Sequence, residues 1–244
     1  MNFKHPTSNF KTIGKNKKSN SKIFGNWKLL VAICFEVGCL MFGFVLSGCA
    51  KTVTQYVTYG DQMVVEVTLR GNYDADANRY FLVVGTGEAF KVPLPPPDNI
   101  DFELLEPGTT PRLGVIADYY TGFYYSWAGY VITDPGGYFL AAGPFTQGSS
   151  NPRVPLGNLE ATGTKLKFNF RLSQIFGAAI PKIIYFDFFT AAWPSDAAKL
   201  SADHLASTNA YISSLAGSTG SVPDEENTLL APALDILNCA VTIQ

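Results

Sequence analysis

Beyond about residue 60 the chain predicts a mostly β domain, a single antiparallel β-sandwich of roughly eight strands. Three observations carry this. Several short runs alternate apolar and polar residues and are separated by turn clusters. All 12 tyrosines follow Cys49, in company with many Val, Phe, Gly and Pro. About 185 residues with no internal repeat and no heptad suit one domain.

The elements follow in order. "MVVEVTL" sets Met63, Val65, Val67 and Leu69 on one face, with Glu66 and Thr68 on the other. "GNYDADAN" is a turn cluster and "RYFLVVG" a second strand, so 63–85 reads as a hairpin. "VPLPPPDN" (92–99) is a stiff extended linker. "RLGVIADYY", "GFYYSWAGYVI" and "GYFLAA" supply further strands. In "KLKFNFRL", Leu166, Phe168, Phe170 and Leu172 face a core while Lys165, Lys167, Asn169 and Arg171 face water. "KIIYFDFF" (182–189) is apolar on both faces, as a central strand is. "LDILNCAVTIQ" closes the chain, with Leu237, Cys239, Val241 and Ile243 on one face. One segment departs from the pattern. The Ala-rich stretch 195–217 spaces Leu205, Ile212 and Leu215 helically between Ser195 and Gly217, and predicts a short helical insertion.

The first 48 residues are of another kind. Residues 1–28 carry seven lysines and no acid, and Leu29–Leu46 is apolar apart from Glu36. Such a basic start and apolar run make a secretory signal. The run is also about the ~20 residues that cross a bilayer, so a retained anchor has the same outline. Its ending tips the balance toward a signal, with the retained anchor left open. Leu46-Ser47-Gly48-Cys49 resembles the lipobox of bacterial lipoproteins. That resemblance implies a removed signal peptide (1–48), acyl chains (palmitate among them) on Cys49, a tether over 49–59 and a folded domain over 60–244. It implies export to a bacterial cell envelope, on the outer membrane in a Gram-negative cell, with membrane lipid as partner through acylated Cys49. Two or more chains anchor a protein stably, at ~0.8 kcal/mol per buried methylene.

Residues 49–244 hold eleven Lys and Arg against nineteen Asp and Glu, a net charge near −8. That balance argues against a nucleic-acid partner. Removal of the signal takes Cys34 and Cys39 with it, and acylation occupies Cys49, so Cys239 alone stays a free thiol, placed on the apolar face of its strand.

The passages "VVEVTLRGNYDADANRYFLVVGTG" and "LKFNFRLSQIFGAAIPKIIYFDFFTA" resemble, by pattern, the Ig-like β-sandwiches of the DOMON and family-nine carbohydrate-binding-module type. That likeness implies an Ig-like sandwich. Domains of this kind bind sugars or haem, or neither.

Catalytic signatures are missing: no G-x-S-x-G, phosphate loop or H-E-x-x-H occurs, so the reading is not an enzyme. His204 is the one histidine after Cys49 and reads as a partly exposed helix residue. Haem ligation would have only His204 and Met63, and Met63 lies on an apolar strand face, so no cofactor is expected. Asp74, Asp76 and Asn78 place oxygens at alternate positions, as a calcium loop begins, but Arg79 and Gly85 stand where an EF-hand needs Gly and Glu. A plain turn is the simpler reading, and no metal is expected. Binding candidates are Tyr119, Tyr120, Tyr124, Tyr125 and Trp127, read as part of an aromatic hairpin (118–130) around Thr121-Gly122, together with Asp187 in the apolar strand. The rings either form a platform or lie under the 195–217 segment; Asp187 is a structural acceptor, for a Tyr hydroxyl or similar, or a ligand contact. Two functions remain open: an anchored sandwich that binds a ligand such as a carbohydrate, or a structural or assembly lipoprotein that meets an envelope protein through the hairpin.

Overall fold

The computed structural model describes residues 57–87, 90–94, 103–110, 119–157, 159–205 and 210–244. The signal, Cys49, most of the tether, the linker's 95–99 and residues 112–118 of the strand expected over 112–120 lie outside them; its last two residues, Tyr119 and Tyr120, are helical rather than extended. The described chain is mostly β, in two antiparallel sheets. The first runs β11 (Thr219–Pro223), β12 (Ile236–Ile243), β1 (Gln62–Leu69), β7 (Lys165–Arg171), β6 (Leu159–Thr162). The second runs β10 (Tyr211–Ser213), β8 (Ile183–Ala192), β2 (Asn78–Gly85), β3 (Gly129–Asp134), β4 (Gly137–Ala142), β5 (Val154–Pro155), with β9 (Leu200–His204) also on β8.

The inner faces meet in one core. Met63, Val65, Val67 and Leu69 of β1, Leu166, Phe168 and Phe170 of β7 and Cys239 and Val241 of β12 pack with Tyr80, Leu82 and Val84 of β2 and Phe186 and Phe188 of β8. Alternation in β1 and β7 is what the sequence predicts, because each has one apolar face over this core and one polar face outside. β8 is central and buried along most of its length, as its two-sided apolar run requires.

The expected hairpin over 63–85 does not form. β1 pairs with β12 and β7, whereas β2 pairs with β3 and β8, so the chain crosses from one sheet to the other between them. The apolar faces of β1 and β2 point at each other across the core, and alternation alone does not distinguish such an arch from a hairpin. The crossing is tied down where Arg70 pairs with buried Asp235 and where the Tyr80 hydroxyl donates to the Ala233 carbonyl (3.0 Å).

The helix expected near 195–217 is also absent among the described residues. β9 and β10 stand there and pair with opposite ends of the same edge of β8, at Phe189–Ala192 and Ile183–Tyr185. Ala210, Ile212 and Ser214 are buried and Tyr211 and Leu215 exposed, a period of two. The free edge of a ten-residue strand outweighs the helix propensity of the alanines. With five further strands, β5, β6, β9, β10 and β11, the described residues hold twelve strands rather than about eight.

Strand β12 contains an irregularity that moves one side chain. Pairing with β1 shifts between Thr68 and Leu69, which bond opposite Asn238 and Ile236. Ile236 therefore takes the buried place expected of Leu237, while Cys239, Val241 and Ile243 are buried as alternation predicts. β3 and β4 form a true hairpin. Its turn uses Gly137 at φ 120, with the Asp134 carboxylate accepting from the Gly136 amide (2.7 Å).

The outer face of the second sheet bears a second core. Phe81 and Val83 of β2, Tyr130 and Ile132 of β3, and Phe189 and Ala191 of β8 are covered by Phe90, Val92, Leu104, Leu105, Tyr120, Tyr124, Trp127 and Phe145. Among the described residues this cover is irregular chain and one short helix rather than a long helix.

Candidate functional site

The expected aromatic hairpin is not a hairpin. Tyr119–Gly122 forms a short helix (α1), Tyr124–Ser126 a 3₁₀ turn, and the strand begins only at Gly129. The reason is packing. Five rings in seven residues, folded as helix and turn, direct alternate rings down onto the sheet. Tyr120, Tyr124 and Trp127 are buried in the second core. The Trp127 indole N–H donates to the Lys91 carbonyl (2.7 Å), the Tyr120 hydroxyl to the Thr109 carbonyl (2.8 Å), and the Tyr124 hydroxyl to the Leu105 carbonyl. Trp127 lies 4.6 Å from Tyr124 and 6.2 Å from Phe189, ring to ring. Each polar tip is thus satisfied inside the fold, as buried Tyr and Trp require. Tyr125 points out and is 64% exposed. Tyr119 begins α1, and its side chain lies outside the described set.

Asp187 is buried in β8, apart from the aromatic segment. Its carboxylate accepts from the Leu205 amide (3.3 Å) and faces His204 Nδ1 at 3.7 Å. The expected tyrosine hydroxyl is not among its partners. His204 is partly exposed, as expected, but sits in strand β9. The facing carboxylate holds its imidazole above the ordinary value, while burial pushes the Asp187 carboxyl up and His204 draws it back. Nearby Asp203 accepts from the Ile236 amide (2.8 Å) and, like Asp224, is raised by burial. This cluster ties β8, β9 and β12 together. Burial also pushes the Cys239 thiol up, so it is an inert core residue.

The Asp74–Asn78 segment is a turn. The Asp74 carboxylate accepts from the amides of Asp76 (3.0 Å) and Ala77 (3.2 Å), and the Asn78 amide donates to the Asp74 carbonyl (3.1 Å). Among the described residues no cluster of three or more His, Cys, Asp or Glu is arranged to hold a metal ion. Met63 is fully buried in the core.

That turn nevertheless contributes to an open cleft with an aromatic ring in its wall. In the β2–β8 pair Asn78 lies opposite Ala192, so the residues before β2 and those after β8 meet at one end of the sheet. The Trp193 amide donates to the Ala77 carbonyl (2.9 Å) and joins the two turns. Between them is a cleft of about 540 Å³ lined by Asp76, Arg79, Trp193, Ser195, Asp196 and Lys199, among others. The Trp193 ring packs on Phe81 below (6.4 Å between centroids). The Arg79 guanidinium lies 5.6 Å and the Lys199 ammonium 5.5 Å from its centre. Arg79 is held by donating to the carbonyls of Ala75 (2.6 Å) and Asn78 (2.7 Å), Lys199 by Glu103 (3.3 Å). Among the described residues, Tyr120, Tyr124, Tyr125, Trp127 and Asp187 do not line it, whereas Asp76 does. The sequence signals that point to it are modest: a Trp-Pro pair just past the end of an apolar strand, and an arginine at the start of another.

The fold and this cleft define a class, a two-sheet antiparallel β protein with a small polar cleft at one sheet end. In comparisons with models of known families, with characterised proteins and with solved structures, nothing matches the chain. No described helix is long and apolar enough to cross a membrane.

Proposed function

We propose that this chain is a cell-envelope lipoprotein, anchored through acylated Cys49, whose Ig-like sandwich binds a carbohydrate in the Trp193 cleft. One observation carries the binding reading: a tryptophan set in an open cleft between two cations and two carboxylates. An indole offers a flat apolar surface to the C–H face of a sugar, Arg79 and Lys199 donate to its hydroxyls, and Asp76 and Asp196 accept from them. Arg79 is fixed by backbone carbonyls, Lys199 by Glu103 and Trp193 by its packing on Phe81, so these three need little ordering on binding. For the assembly reading through 118–130, Tyr125 is the exposed ring among the described ones, Phe123 is half-buried, and Tyr120, Tyr124 and Trp127 are buried.

The test is an oligosaccharide array probed with the purified protein. A retained sugar should lose about tenfold or more in affinity with Trp193→Ala, as truncation of a hot-spot ring does, and keep its affinity with Tyr125→Ala. Equal binding by the Trp193 variant, or no sugar retained, overturns this reading.

A further inference from the structure

The second sheet carries an exposed apolar patch at the end where the chain enters the fold. In the β8–β10 pair Tyr185 lies opposite Tyr211 and Ile183 opposite Ser213, while Ile184 and Ile212 face the core. Residues 183, 185, 211 and 213 therefore share the outer face, and alternation brings Leu215 to the same side. Leu215 is bridged to Tyr59, and the Ala216 amide donates to the Thr58 carbonyl (3.0 Å), which lays Val57 and Tyr59 alongside. Tyr211 and Val57 are 64% and 60% exposed, with Tyr59, Ile183 and Leu215 at 46%, 44% and 38%. The Tyr185 and Tyr211 rings stand 6.0 Å apart. No acid is among these residues, although residues 49–244 carry an excess of acids, and exposed Lys182 adjoins Ile183. A group of this kind on a water-facing domain marks a surface with an occupant.

We propose that this patch seats the domain on the lipid surface. The proposal rests on the reading of Cys49 as the acylated residue. Eight residue steps separate Cys49 from Val57, a reach of at most about 29 Å. The patch is therefore the part of the described fold that the tether holds nearest the headgroups. Its composition suits that depth: tyrosines place a ring among acyl carbons and a hydroxyl among headgroups, and Ile183, Leu215 and Val57 supply apolar area. Because the domain is acidic, attraction to anionic lipid is not the source of contact, and the seating is apolar. The Trp193 cleft lies at the other end of β8, near Ala192, so seating through Ile183 directs the cleft away from the bilayer.

The experiment uses the acylated protein reconstituted in phosphatidylcholine vesicles, with Ser213→Cys carrying an environment-sensitive dye. Cys239 is buried and stays unlabelled. Mass spectrometry first reads the acyl chains on Cys49. With these present, dye emission should shift to the blue and be largely quenched by brominated lipid. Tyr59→Ser with Tyr211→Ser should abolish the quenching while the acyl chains remain. An acylated protein whose dye stays in water overturns the seating alone. A protein without acyl chains overturns the anchor reading and the seating with it. A blue shift that bromolipid does not quench, and that grows with protein concentration, means that a second copy covers the patch and likewise overturns the lipid proposal.

Discussion

Replacing Trp127 by Ala separates a binding ring from a core ring, and the structure sets the magnitude. The indole is 3% exposed and contacts Tyr124, Tyr130, Phe145 and Phe189. Truncating a buried Trp to Ala costs ~3–5 kcal/mol through lost transfer energy and the cavity left behind. The Lys91 carbonyl also loses its donor, a further ~1 kcal/mol or more if water does not reach it. A loss of about 4–5 kcal/mol is a large part of the ~5–15 kcal/mol that holds a domain of this size. With a urea slope of ~2 kcal/mol per molar, the midpoint should fall by about 2 M. Tyr125→Ala is the control. That ring is 64% exposed and meets Tyr120 at 6.1 Å, so its loss should cost about 1 kcal/mol or less, roughly 0.5 M. Urea unfolding followed by far-UV circular dichroism reads both. A Trp127→Ala midpoint within ~0.5 M of the parent would refute the assignment of this ring to the second core.

Two further outcomes follow from buried charge. Arg70→Met should cost ~3–5 kcal/mol in the same unfolding assay, because it leaves the Asp235 carboxylate, fully buried beside it, without a compensating charge; a cost below ~1 kcal/mol would show that the pair does not hold the crossing between sheets. His204 is held above its ordinary value of 6.5 by Asp187, with Asp203 and Asp224 adding to the pull. A group raised on folding contributes fully below its unfolded value and loses that contribution as pH rises through its folded value. Stability should therefore fall as pH rises above 6.5, and His204→Gln should flatten that fall; a variant with the parent's pH slope refutes the pairing.

Much of the first core was legible in the residues because it depends on local alternation. Met63, Val65, Val67 and Leu69, and likewise Leu166, Phe168 and Phe170, are buried as their spacing demands. Cys239 is buried for the same reason, although the shift in β12 exchanged Leu237 for Ile236, a change of register that depends on pairing with β1. The candidate cleft was hardly legible, because Trp193, Arg79 and Lys199 come from two turns that meet only through the β2–β8 register.

By itself, then, the sequence determined which residues are apolar, which strand faces are buried and that the fold is β, since a period of two is a property of each strand alone. Only the tertiary structure decided which strands are neighbours. The crossing between β1 and β2, the strands β9 and β10 where helix propensity is high, and the burial of Tyr120, Tyr124 and Trp127 all depend on what lies across a core or along an edge. The physical reason is the same in each case. A strand's hydrogen bonds and apolar face are satisfied by segments remote in sequence, and which of several suitable partners arrives is set by the packing of the whole domain rather than by any local preference.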